Sequence, residues 1–484
     1  MGRLLKYSWL MICICCFANS RAQVVLPKVL GNNMVLQRNA PLPIWGTAAA
    51  GEKVTVKFSK QTKSTVTDAS GNWLIKLDPM PASAKPARLI ISGINTIKLE
   101  NILVGEVWLC SGQSNMQYEM RKNSKVKKPN TNTANSPVDE LDHAHNPQIR
   151  IFLVTQKNLL KPDSTHSGWR VAEDSALRAF SAVGYFFAKN LQHDLKVPVG
   201  IISSAVSGSR IEPWAPQEAF DAIPYFKVNN IKIDGDPGKF YAKMIEPVAP
   251  FALKGFLWYQ GESNCFLGET ICYTYKMEAL INSWRKLWSD KTLPFYYVQI
   301  APYYYTQGKG PVTYTPFTEP ELREAQAAAL QIPHTGMIIT TDLNDDLKNI
   351  HPPFKWEIGR RLEQQALANT YNQPVAFSGP VYKSMKISSN KIILEFDHPG
   401  AGLTSHDGKP LTDFTIAGAD GNFVTADAII KGNTVEVSAG SVTKPVAARF
   451  AWSESAQPNF YNKDGLPAAP FRTDNPLKFT LTAN

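Results

Sequence analysis

The chain has 484 residues, 44% of them hydrophobic and 19% charged, the composition of an ordinary soluble globular protein and a length that argues for about three domains. Its formal net charge is +10; discounting Arg3, Lys6 and Arg21 of the N-terminal segment leaves +7, a mild excess that is nowhere gathered into a nucleic-acid stripe. The one basic cluster, Lys122 to Lys128, sits in a polar stretch reaching Asn146 and reads as a solvated loop.

The first element expected in chain order is a leader. MGRLLKYSWLMICICCFANSRAQ has a basic start, an apolar stretch from Trp9 to Phe17 and small residues after it, the layout of a secretory signal peptide over 1–22. That apolar stretch is too short to span a bilayer, and no later segment is apolar enough, so a secreted or periplasmic chain is expected. Cys110, Cys265 and Cys272 then remain, an odd number without metal-ligand spacing; a single bridge between Cys265 and Cys272 and free buried thiols both stay open.

Residues 23–103 read as a small β-sandwich. Short alternating runs such as KVTVKF and ARLIISG are separated by turn signals, of which Asp68-Ala-Ser-Gly71 is the clearest. Over 104–376 the pattern changes to helix-then-strand units in series: VGYFFAKNLQHDL before VPVGIISS, TYKMEALINSWRKLW before LPFYYVQIA, and ELREAQAAALQI before TGMIITTD. Such a succession predicts a doubly wound α/β domain with a parallel sheet. Over 377–484 short alternating runs return, NKIILEF and NTVEVSAG among them, and predict a second β-sandwich.

In open α/β sheets, reactive groups collect in loops at the carboxyl ends of strands. The buried-looking run Val107 to Cys110 breaks into Ser-Gly-Gln-Ser-Asn-Met, which puts Ser114 in such a loop. A serine there is more often a cap or turn residue, and Met116 stands where a Gly-x-Ser-x-Gly elbow has its second glycine. A serine nucleophile needs a base. Of eight histidines, six lie in uninformative polar contexts and His398 ends a strand of the C-terminal region. His351 follows the last helix–strand unit and precedes a helix beginning near Phe354. By position alone, an ordinary histidine before a helix describes it as well as a base does. Two further loops, IISSAVSGSRIEPW and WYQGESN, would bring Gly208 and Asn264 to the same sheet end. The Ser114 and Gly208 N–H groups and the Asn264 amide would then be three donors for one oxyanion; two tight turns are the plainer alternative.

In this order and spacing, SGQSNM, SGSRIEPW, WYQGESN and IHPPFKWEIGRRL resemble the four signature blocks of the sialate O-acetylesterase family, SGNH-type carbohydrate esterases. The resemblance extends to NNMVLQRNAPLPIWG and GNWLIKL near the start and to NFYNKDGLPAAPFRTD near the end, nearly the whole mature chain. It implies an enzyme removing O-acetyl groups from sugars, without metal or organic cofactor. Ser114 would be its nucleophile, His351 its base, and Ser114, Gly208 and Asn264 its oxyanion hole. The implied partner is an acetylated sugar or glycan. An esterase of acetylated plant polysaccharide and a carbohydrate-binding protein of weak or lost activity are the alternatives.

The chain departs from the family in two places. Ser207 stands where many relatives have Gly, and Lys348 and Asn349 occupy the positions from which an aspartate usually orients the base. Asp342, Asp345, Asp346 and Glu262 remain as carboxylates within reach, with a dyad oriented by a backbone carbonyl as the other outcome. Glu262, between Gly261 and the proposed oxyanion Asn264 and without a packing role, is the expected acid.

Overall fold

The computed structural model describes residues 23–126, 136–154 and 168–482; the expected leader, 1–22, lies outside the described residues. A single strand, Thr96–Gly112, joins two regions of the molecule. Its first part pairs antiparallel with Ser83–Ser92 and parallel with Val35–Gln37, and its second part enters a parallel sheet. Residues 103 and 104, the expected domain boundary, therefore lie inside one continuous strand. The run Ile102–Cys110 is buried throughout, as a strand covered on both faces must be.

From one edge to the other the sheet runs Thr335–Ile338, Phe295–Val298, Gly255–Tyr259, Thr96–Gly112, Val199–Ala205, His145–Leu153 and Arg170–Glu173. All neighbours are parallel except the last pair. The chain fills one side of the long strand first and then crosses to build the other outward. Such a reversal of winding leaves a crevice at the carboxyl ends of the central strands.

Alternate side chains of the sheet feed two cores, as the two-residue period of a strand requires. Val107, Leu109, Phe256 and Trp258 pack with Met277, Leu280 and Trp284 of helix Ile271–Leu287 and Leu322 of helix Thr318–Ala328. Trp108, Cys110, Leu257 and Tyr259 pack with Val183, Phe187 and Leu191 of helix Ala182–Leu195 and with Ile358 and Leu362 of helix Lys355–Asn369. Helices thus cover both faces, and the three helix-then-strand units read from the sequence are present. Helix Ala182–Leu195 starts where its apolar stripe does, capped by Ser181, whose Oγ accepts from Gly184 N at 3.1 Å.

Antiparallel sheets flank this layer. Near the N-terminus Leu42–Thr47 pairs with Asn72–Leu77, and Lys53–Phe58 with Gln61–Val66 and Ser83–Ser92. In the C-terminal region two four-stranded antiparallel sheets share a separate core that includes Ile392, Leu394, Val435, Phe414, Ile416 and Phe450. Cys110, Cys265 and Cys272 are all free thiols, so the bridge left open by the sequence is not formed. No helix of the described residues is long and apolar enough to cross a membrane.

Candidate active site

Three adjacent strands deliver the expected residues to one place. Gly112 ends the long strand between Ala205 and Tyr259 of its two parallel neighbours. Its φ is +139°, and a Cβ there would lie 2.1 Å from Tyr259 O, so only glycine lets the chain turn this close to its neighbour. Met116 and Gln117 then donate their N–H groups back to Gln113 O at 3.0 and 2.9 Å, making the tight turn that presents Ser114.

His351 arrives from the sheet edge, on the loop after Thr335–Ile338, and its Nε2 lies 2.9 Å from Ser114 Oγ. Two residues separated by most of the domain in sequence are therefore in hydrogen-bond contact. Among the described residues neither the Ser114 nor the Gly208 N–H donates to a protein acceptor. Gly208 has φ +72° and open space where a Cβ would be, so its left-handed backbone rather than crowding calls for glycine.

Asn264 is wholly buried behind this turn. Its Oδ1 accepts from Gln260 Nε2 at 2.8 Å and Ile211 N at 3.0 Å, which fixes the amide and turns its NH2 the other way. That NH2 group faces the Glu212 carboxylate at 3.4 to 3.5 Å, too long for a strong bond. Burial by itself would raise the Glu212 pKa, but Lys276 and Arg210, each 2.6 Å from it, bring it below the usual carboxylate value. Gln113 Oε1 joins the network by accepting from Gln260 Nε2 at 3.1 Å.

The expected orienting acid requires correction. Glu262 does not reach the His351 ring: its Oε1 accepts from Asn115 Nδ2, and its Oε2 is buried without a partner. The reason is topological. Glu262 opens a short helix directly after Gly255–Tyr259 and points into the sheet end, whereas His351 crosses over from two strands away. The other carboxylates are occupied elsewhere or exposed. Asp342 is paired with Arg361, Asp346 Oδ1 accepts from Lys348 N, and Asp345 is exposed. Asn349, in the usual aspartate position, accepts from the His351 backbone N–H at 3.0 Å. Among the described residues His351 Nδ1 has no hydrogen-bond partner.

Burial first, and then the nearby Lys355 and Lys122 cations, push the His351 pKa down from 6.5 to about 4. Lys355 is itself wholly buried, with Nζ 2.6 Å from Asn115 Oδ1. Burial lowers its pKa from 10.5 to about 7 against the opposing attraction of Glu262. Burial also raises Glu262, only partly offset by its hydrogen bonds and by Lys355. The arrangement can therefore keep a neutral imidazole beside a serine hydroxyl at mildly acidic pH, with free N–H donors alongside.

Asn115 and Lys355 were not singled out from the sequence. A signal existed for the lysine: Lys355, Ile358 and Leu362 share one stripe of their helix, so a charge sits where the pattern wants an apolar side chain. Trp214 and Trp258, which neighbour the Gly208 and Asn264 loops in sequence, are both fully buried and pack edge to face. Among the described residues no group of three or more His, Cys, Asp or Glu side chains is disposed to hold a metal ion.

Residues 104–368 match the family model described as carbohydrate esterase, sialic acid-specific acetylesterase. The chain is 26% identical to the sialate O-acetylesterase of Homo sapiens over 497 aligned positions, which cover 91% of each chain. It is 27% identical to that of Pongo abelii over 491 positions, with the same coverage. Among solved structures, a carbohydrate acetylesterase from Xanthomonas citri superposes with a TM-score of 0.82 at 34% identity, covering 93% of this chain and all of the other.

Proposed function

The chain belongs to the sialic acid-specific acetylesterase family of carbohydrate esterases, and from that membership we propose that Ser114 and His351 carry its reaction as a nucleophile–base dyad. The enzyme is a carboxylic-ester hydrolase that removes O-acetyl groups from carbohydrate. His351 Nε2 takes the Ser114 proton as Oγ attacks the acetyl carbonyl carbon. The Ser114 and Gly208 N–H groups stabilise the resulting oxyanion; the Asn264 amide, expected as a third donor, faces Glu212 with its NH2 and is held behind them. The imidazolium returns its proton to the sugar oxygen, which leaves. Water, deprotonated by the same ring, then attacks the acyl-serine and releases acetate.

The observation that carries this reading is the 2.9 Å contact between His351 Nε2 and Ser114 Oγ at the winding reversal of the sheet. It favours an enzyme over a carbohydrate-binding protein that has lost its activity. The substrate we propose is an O-acetylated sialic acid. An acetylated plant polysaccharide is the second reading, left open because the solved structure at 34% identity is described as a carbohydrate acetylesterase without a named sugar. We read the flanking antiparallel sheets as β-sandwiches on an SGNH-type core, and the N-terminal segment 1–22 as an export signal cleaved from a secreted or periplasmic protein.

Acetate release from acetylated sialic acid, xylan, mannan and pectin tests the substrate. Release from the sialic acid alone supports the first reading, and release from a polysaccharide alone replaces it with the second. On 4-nitrophenyl esters, acetate is expected to turn over far faster than octanoate; equal rates would overturn acetyl specificity.

A further inference from the structure

We propose that Lys355 is a positioning residue for this reaction: through the Asn115 amide it ties the nucleophile loop to the base loop and does the orienting work that no carboxylate among the described residues does. The inference rests on the roles proposed for Ser114 and His351.

Asn115 follows Ser114 in the chain, and Ile350 precedes His351. Asn115 Nδ2 donates to Ile350 O at 3.1 Å and also to Glu262 Oε1, while its Oδ1 accepts from Lys355 Nζ at 2.6 Å. One side-chain amide therefore bridges the neighbours of both reacting residues. An ammonium on its oxygen and a carboxylate on its nitrogen permit a single orientation of that amide, because a flip would put donor against donor and acceptor against acceptor. The ammonium also lies 4.9 Å from the Tyr118 ring centroid and 5.1 Å from that of Tyr259, which hold it in place.

The cost of this arrangement argues for a purpose. Asn115, Glu262 and Lys355 are all buried, and a buried charge pair is seldom more stabilising than apolar residues of the same volume. Lys355 occupies the first position of helix Lys355–Asn369 on the stripe of Ile358 and Leu362, where a leucine or methionine would satisfy packing. The lysine serves something that an apolar side chain would not.

Its charge has a second effect that separates positioning from simple support. The cations acting on His351 are Lys355 and Lys122; Glu262 and Lys122 act on Lys355, and Asp345 acts on Tyr118 beside it. Removing the Lys355 cation leaves Glu262 uncompensated, and both changes ease protonation of His351.

The test compares Lys355→Met, Asn115→Ala and their double variant in the full chain by kcat, KM and the pH profile of kcat/KM on 4-nitrophenyl acetate, with Ser114→Ala as control. Each single variant is expected to lose on the order of 10²-fold in kcat with KM little changed, as misplacement of a reacting group does. The double variant is expected to lose no more than the worse single one, because the two residues act as one unit. Lys355→Met is also expected to move the acid limb upward from about 4 towards 6.5, which Asn115→Ala does not. Additive losses, an unmoved acid limb in Lys355→Met, or an unchanged kcat in Asn115→Ala would each overturn the proposal. Should Lys355→Met fail to fold, Lys355→Gln is read by the same criteria, and Asn115→Ala still decides by itself. Turnover surviving in Ser114→Ala would instead overturn the underlying dyad.

Discussion

The two loops that meet at the Ser114–His351 contact are held by different forces. The nucleophile turn is fixed by main chain: Gln113 N donates to Tyr259 O at 3.0 Å and Val206 N to Gly112 O at 3.0 Å, so both neighbouring strands grip it. The base loop has a main-chain bond of its own, Tyr304 N to Leu347 O at 3.0 Å, but leans more on side-chain amides. Asn344 Nδ2 donates to Pro302 O at 2.6 Å and to Asn349 O at 2.9 Å, Asn115 holds Ile350 O, and Gln457 of the C-terminal region donates to Asn344 O. Main-chain ladder bonds do not depend on which side chain is present, whereas each amide bond is lost with one substitution. The nucleophile side therefore depends more on topology and the base side more on composition.

The largest break in this comparison comes from the reacting group itself. Ser114→Ala is expected to lower acetate release on the order of 10⁴-fold or more while the melting temperature stays put, since among the described residues its side chain bonds to His351 alone. Turnover within tenfold of the parent would remove Ser114 from the mechanism. On the nucleophile side, Gly112→Ala is expected to cost about 3 kcal/mol or more of stability, because the new Cβ meets backbone rather than a yielding side chain. Chemical denaturation measures this, and a loss below about 1 kcal/mol would show that the turn can relax.

Because among the described residues no carboxylate touches the His351 ring, removing any one of them should fall short of the roughly 10⁴-fold loss typical of a triad acid. Glu262→Gln, Asp342→Asn and Asp346→Asn are each expected to lose less than about 10²-fold in kcat, with Glu262→Gln the worst through Asn115. A collapse in either aspartate variant would identify an acid that reaches the ring during turnover.

The pH profile probes the same feature. The proposed base, His351, accepts a proton only when neutral, so activity is expected to fall as pH drops through its pKa; a depressed value moves that loss to lower pH. With a pKa of about 4 the acid limb of kcat/KM should lie near pH 4, leaving most of the activity at pH 5. A histidine at its ordinary value would by then have lost about thirtyfold. The smallest expected effect is on the composition-dependent side. Gln457→Ala should lower kcat only a few-fold, on the order of one lost hydrogen bond, and speed hydrogen exchange over 343–353. Unchanged exchange there would mean that the C-terminal region does not brace the base loop.

The sequence by itself determined the elements of the α/β layer and picked out the loops that carry the proposed pair. Each of the three helix–strand units carries its own periodicity, and strand-end loops of Gly, Ser and Asn are local signals, so the loops of Ser114, Gly208 and Asn264 stood out as candidates, with turn and cap roles open beside them. His351 was legible as a residue before a helix, but only the resemblance made it a base. Tertiary structure decided what stands behind the pair. Glu262 looked like the acid because it sits at a strand end beside Asn264; which strand end faces the ring depends on the sheet order, and that order gave Glu262 to Asn115 instead. The region boundary was hidden for a similar reason: a 17-residue strand shared by two sheets shows no break in pattern where one sheet hands over to the other. Lys355 needed the fold most of all, since the meaning of a charge on an apolar stripe depends on the partners that packing places around it.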